Sequence, residues 1–149
     1  MDTHVKLITK ISLATGARWG EAEGLTLDKL KDGKLTFTKT KSGKSRSVPV
    51  SPELYTEISQ HLKQYGFFSN SINAFGRALR AAKIGLPKGQ AAHVLRHSFA
   101  SHFVMNGGDI LTLQKILGHS TVSVTMRYAH LSSDHLILAV SENPIALIK

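Results

Sequence analysis

The stretch Ala92-His93-Val94-Leu95-Arg96-His97-Ser98-Phe99-Ala100-Ser101-His102-Phe103-Val104-Met105, closed by Asn106-Gly107-Gly108, decides how this chain reads. It is a strong helical candidate over 92–105, because Asn-Gly-Gly stops a helix. Val94, Leu95, Phe99, Phe103 and Val104 can hold the helix against a core. His93 and Arg96, three residues apart, share a different face and are left at a cleft.

Outward from this helix the signals are local and punctuated. Asp109 caps a short helix through Leu117, which Gly118 terminates. Thr121 opens another, and Ser132-Ser133-Asp134 begins a last one through Val140. Upstream, Gly85-Leu86-Pro87-Lys88-Gly89 is a loop, and Ser69 or Asn70 caps a helix that carries Ile72, Phe75, Leu79 and Ala82 inward. Pro52 suits the first turn of a helix after Ser51, with Leu54, Ile58 and Leu62 on one face. Residues 34–39 and 45–50 alternate or flank a proline and read as two strands, with Thr40-Lys41-Ser42-Gly43 as the hairpin turn. Residues 4–15 approach helical spacing, Thr15-Gly16 interrupts them, and a second short helix starts near Glu21. The fold class is α+β, a mostly helical domain with a small antiparallel β-sheet.

At 149 residues the chain has room for one ordinary core. It has no cysteine, which removes disulfides, thiolate nucleophiles and cysteine-based zinc sites. No run approaches the roughly 18 apolar residues of a membrane span, and the start lacks the apolar segment of a signal peptide, so a cytoplasmic location is expected. The formal net charge of +9 favours a polyanionic partner.

The polar residues narrow that partner. Guanidinium groups bind phosphate oxygens in pairs and keep their charge, so Arg18 and Arg96 around one phosphate could stabilise a pentacoordinate transition state. With histidines and the phenol of Tyr128, the set suits attack on a phosphodiester. Singly, each has a bland reading: a half-buried tyrosine, a core histidine, a solvated lysine.

Four segments together resemble the catalytic domain of the tyrosine recombinases, most closely that of temperate-phage integrases. They are Ala14-Thr-Gly-Ala-Arg18-Trp-Gly-Glu21, the hairpin around Thr40-Lys41-Ser-Gly43, His93-x-x-Arg96-His97-x-x-Ala100, and Leu117-Gly118-His119 followed by Thr125-x-x-Tyr128. The resemblance implies that Tyr128 attacks the scissile phosphate, leaving a 3′-phosphotyrosyl link and a free 5′-hydroxyl. Arg18 and Arg96 would hold the non-bridging oxygens with His119 as a further donor. His93 would accept the phenol proton, and Lys41 would protonate the departing oxygen. Glu21 would orient Arg18, and His97 would be hydrogen-bonded beneath the site. Lys39, Lys44 and Arg46 on the hairpin would contact DNA phosphates.

The same resemblance implies that residues 1–149 form the catalytic domain, with a C-terminal tail over about 131–149, and that arm-binding and core-binding domains lie outside this chain. It implies no cofactor and no metal. Its partners would be double-stranded attachment-site DNA, further copies of the chain in a dimer or tetramer joined through the tail, a host DNA-bending protein and a phage directionality factor. The function implied is site-specific integration and excision of viral DNA in a bacterial cytoplasm. A type IB topoisomerase, a non-catalytic DNA-binding module and a metal-dependent nuclease stay open as alternatives at this point.

Overall fold

The computed structural model describes residues 2–38, 44–86, 90–132 and 138–148. In chain order these form α1 (Thr3–Thr15), α2 (Trp19–Glu23), a 3₁₀ turn (Leu27–Lys29), β1 (Leu30–Lys31), β2 (Lys34–Phe37), β3 (Arg46–Pro49), α3 (Pro52–Tyr65), α4 (Ile72–Ala81), α5 (Ala91–Met105), α6 (Ile110–Leu117), α7 (Val122–Thr125), a 3₁₀ turn (Met126–Leu131), α8 (Leu138–Ser141) and a last 3₁₀ turn (Pro144–Leu147). The strands make one antiparallel sheet in the order β1-β2-β3, with Leu35 opposite Val48 and Phe37 opposite Arg46.

Short polar signals set the helix ends. Ser51 accepts from the Leu54 amide with Pro52 at the first helical position, and Asp109 accepts from the Thr112 amide. Each cap satisfies a donor the helix cannot and contributes about 1 kcal/mol. Gly118, at φ 74°, stops α6 in the left-handed region, so the chain turns and presents His119.

Two apolar clusters sit side by side. One joins Val5, Ile8 and Ile11 of α1 to Trp19, Leu35, Phe37, Ile58, Leu62 and Phe75. The other joins Ala100 and Val104 of α5 to Leu113, Leu117 and Tyr128. Helix α5 spans both, since Val94 and Leu95 near its start pack on the first cluster. This placement explains why its central residues lie where the two halves meet.

Gly16 makes that meeting possible. Its φ of 72° is one a side chain adopts only with strain, and a Cβ there would lie 2.6 Å from both Leu117 Cδ2 and Phe99 Cδ1. The end of α1 is therefore pressed directly against α5 and α6.

Several expectations are revised. The second helix begins at Trp19 rather than near Glu21, with Arg18 as its N-cap residue. A third strand, Leu30–Lys31, joins the two expected ones, which are shorter than 34–39 and 45–50. Ala82 is exposed as the C-cap of α4 instead of pointing inward, because the helix ends before it. Ser132 closes a 3₁₀ turn, the last helix expected from there is described only over Leu138–Ser141, and the start expected for it lies outside the described residues.

Candidate active site

Helix α5 brings His93, Arg96 and His97 onto adjoining faces, and the loops around it supply the rest. A cleft of about 320 Å³ is lined by Arg18, Gln90, His93, Arg96, His97, His119, Val124, Arg127 and Tyr128. The five expected residues Arg18, His93, Arg96, His119 and Tyr128 thus meet on one surface, although they are spread over more than a hundred positions. Lys41 and Lys39 lie outside the described residues.

Arg96 is fixed from both sides. Its side chain is 5% exposed, Nη1 donates to the Gly16 carbonyl at 2.8 Å, and Nη2 donates to the Leu117 carbonyl at 2.7 Å. Five N–H donors on a planar fork leave others for an anion once two are committed. Burial, followed by the Arg18 and Arg46 charges, lowers its pKa to about 10, against the opposing pull of Glu21 and Tyr128. It therefore remains a cation at neutral pH.

Glu21 is the common counter-ion. Its carboxylate accepts from Arg46 Nη1 at 2.7 Å and Nη2 at 3.1 Å, and from the Arg18 backbone N–H at 2.9 Å. It also lies 3.8 Å from Arg18 Nη1 and 3.9 Å from Arg96 Nη1. Burial pushes this carboxyl up, but the Arg46 hydrogen bonds, the Arg18 amide and both cations outweigh it and hold the group below its ordinary range. Glu21 thus orders three arginines, where the sequence suggested only Arg18.

Arg46 corrects an expectation. Placed by sequence on a DNA-facing hairpin, it turns inward. Its side chain is 8% exposed, Nε donates to the Ile116 carbonyl at 2.6 Å, and its guanidinium lies 5.0 Å from the Phe37 ring centroid. All the strong contacts of this fork are internal, and the physical reason is Glu21, a buried carboxylate that needs a bidentate cation. Lys44 is exposed on the same hairpin.

His119 is held by paired contacts. Its amide donates to the Gln114 carbonyl at 3.1 Å, while Gln114 Nε2 donates back to the His119 carbonyl at 3.2 Å. Its Nδ1 lies 2.7 Å from Thr125 Oγ1. Burial, then the positive charges of Arg96, Arg18, Arg46 and Arg127, lower its pKa to about 4. The neutral ring carries one N–H; in the tautomer whose Nδ1 accepts from the Thr125 hydroxyl, that proton sits on Nε2 as a hydrogen-bond donor.

Tyr128 is 6% exposed and belongs to the second apolar cluster. Burial pushes the pKa of its phenol above the ordinary value, against the lowering effect of Arg127 and Arg96. Its hydroxyl lies 2.5 Å from His97 Nδ1, so His97 touches the phenol itself. Arg127, whose Cζ is 5.6 Å from the Tyr128 ring centroid, Gln90 and Val124 are the lining residues that sequence reasoning missed. Adjacency to Tyr128 was the one signal for Arg127. Among the described residues, no group of three or more histidine or acidic side chains is placed to hold a metal ion.

The phage integrase family model matches residues 1–135. The chain belongs to the phage integrase family. This family member is 54% identical over 140 residues to the integrase of Haemophilus phage HP1, covering 94% of this chain and 41% of that one. It is 51% identical over 144 residues to the integrase of Escherichia phage 186, covering 97% and 43%. The chain therefore spans less than half the length of these relatives. Its fold superposes on the catalytic domain of bacteriophage HP1 integrase with a TM-score of 0.83 at 50% identity, covering 94% of this chain and 82% of that one.

Proposed function

We propose that this domain cleaves and rejoins DNA in site-specific recombination, through a 3′-phosphotyrosyl intermediate on Tyr128. The observation that carries the reading is the single cleft in which a buried phenol faces Arg18, Arg96, His93 and His119. The roles follow from chemistry. Arg18 and Arg96 take the non-bridging oxygens and stabilise the charge that builds in the transition state. His119, neutral and donating through Nε2, adds a hydrogen bond without adding a charge. Tyr128 Oη attacks phosphorus and the 5′-oxygen departs, protonated by Lys41. The covalent link preserves the energy of the phosphodiester, so rejoining needs no nucleotide.

The chain's relatives are phage integrases, which supports viral and host attachment sites as the substrate and a bacterial cytoplasm as the setting. The basic excess supports duplex DNA as the partner. Lys39 and Lys44 are the proposed backbone contacts on the hairpin. The apolar tail, with Val140, Ile145, Leu147 and Ile148 each at least 70% exposed, supports contacts between copies of the chain on DNA. A host DNA-bending protein and a phage directionality factor complete the proposed partners.

The test is a nicked duplex from which the cleaved end diffuses away, selected from a randomised pool. Incubation should leave a covalent protein–DNA adduct that maps to Tyr128. Absence of an adduct, or one that survives Tyr128→Phe, refutes the proposal.

A further inference from the structure

Thr125 is the buried residue of α7, with its side chain shut off from solvent. Its hydroxyl lies 2.7 Å from His119 Nδ1. Other helix-borne threonines place their proton locally: Thr9 donates to the Val5 carbonyl at 2.8 Å, and the buried Thr15 to the Ile11 carbonyl at 2.7 Å. Thr125 makes no such bond back along its helix; among the described residues, the partner of its hydroxyl is the His119 ring.

That isolation fixes the sense of the bond. A hydroxyl has one proton to give and two lone pairs to receive with. Were the His119 proton on Nδ1, Thr125 would be the acceptor, and its own O–H would be buried facing nothing, the costly arrangement for a donor. In the opposite sense the Thr125 proton and the Nδ1 lone pair satisfy each other, and the single N–H of the neutral ring falls on Nε2. We propose that Thr125 is a positioning residue for strand cleavage: its hydroxyl donates to His119 Nδ1 and so holds the ring with its Nε2 N–H available to a phosphate oxygen in the cleft. The inference rests on the strand-transfer reading above and deepens it.

The Gln114 contacts, at 3.1 and 3.2 Å, fix the backbone of residue 119 but touch neither ring nitrogen. Thr125 is therefore the contact that sets the rotation of the ring. Burial and four arginines keep the imidazole neutral at pH 7, so the donor is one N–H whose placement depends on which nitrogen bears it. Thr125 also stands three residues before Tyr128, on the segment formed by α7 and the 3₁₀ turn that follows it. The element that carries the nucleophile thus also orients a phosphate ligand, and the two are seated together.

The experiment uses the full chain, with isotope-labelled histidine for ring spectra at neutral pH and the nicked duplex for single-turnover adduct formation. In wild-type protein the His119 proton should be on Nε2, with Nδ1 the bare nitrogen. Thr125→Val keeps the shape and removes the hydroxyl, so the Nδ1 resonance should move toward that of an unbonded ring nitrogen. Adduct formation should fall about 10-fold, within the range that one unmet buried hydrogen bond accounts for. Thr125→Ser keeps the donor and should restore most of the rate. In a His119→Ala background, Thr125→Val should slow the reaction by less than about twofold, because the residue acts through that ring; a packing role alone would give the same factor in both backgrounds. Should Thr125→Val not fold, Thr125→Ala takes its place in every comparison. A proton on Nδ1, an unmoved Nδ1 resonance, a wild-type rate in the folded variant, or an undiminished effect without the His119 ring overturns the assignment. If the wild type forms no adduct, the strand-transfer reading itself falls, whereas a proton on Nδ1 beside normal adduct formation refutes the role of Thr125 alone.

Discussion

Replacing Glu21 by glutamine removes the carboxylate around which Arg18, Arg46 and Arg96 are arranged. At an effective dielectric near 20, a unit pair at the 3.8 Å between Glu21 and Arg18 attracts by about 4 kcal/mol before solvation is counted. Arg46 sits closer still, at 2.7 Å. The amide of glutamine is nearly isosteric, so it leaves the cations crowded and uncompensated rather than opening a cavity. Breaking a buried pair from one side costs about 3–5 kcal/mol. In a domain of this size each kcal/mol is worth about 2–4 °C in Tm, so E21Q should melt roughly 6 °C or more below the parent.

The pH dependence identifies the cause. Glu21 is depressed below its ordinary value of 4.5, so its contribution is complete above that value and is lost as pH falls through the folded-state pKa. Urea unfolding at pH 7 and at steps down to pH 4 should show a gap between E21Q and parent that holds to about pH 4.5 and then narrows. A double-mutant cycle with Arg46→Met should be non-additive, because Arg46 has lost its carboxylate in either single variant. A gap at pH 7 under about 1 kcal/mol, or strict additivity with Arg46→Met, refutes the idea that Glu21 organises the arginines.

Three further outcomes are expected. Gly16→Ala should destabilise by about 1–3 kcal/mol through its left-handed φ and the contacts with Leu117 and Phe99, and it should slow adduct formation by shifting the carbonyl that holds Arg96; parent-like melting and cleavage would contradict this. The His119 ring, followed by NMR in DNA-free protein, should titrate near 4 and show no transition between pH 5 and 8, because burial and four arginines oppose its cation; a midpoint above 6 would contradict it. Truncation after Ile137 should weaken self-association, measured by sedimentation across a concentration series, since Val140, Ile145, Leu147 and Ile148 leave with the tail; an unchanged series would remove the proposed contact between copies.

What the sequence disclosed was what short-range chemistry controls. Ser51-Pro52, Asp109 and Gly118 act within one helical turn, and each does in the structure what its type suggests. The family segments led to Arg18, His93, Arg96, His119 and Tyr128, which share one cleft. Arg46 was misread because a strand's alternation says nothing of a partner carboxylate 25 residues away or a carbonyl 70 residues away. The same limit hid the contact of His97 with Tyr128, which spans 31 positions. Leu30–Lys31 is too short for a period-2 signal, and Ala82 looked internal only while its helix was taken to run one residue further.

Arg96 ties the end of α1 to the end of α6 through the Gly16 and Leu117 carbonyls, 80 and 21 residues away. A screen for inactive variants will therefore find this position for two unrelated reasons. Loss of the side chain removes the proposed phosphate ligand and also cuts the strut between the two halves of the domain. An inert Arg96 variant is evidence about chemistry only when its unfolding has been measured beside its cleavage. Lysine is the informative replacement, because it keeps the charge but lacks the fork that can grip both carbonyls and an anion at once.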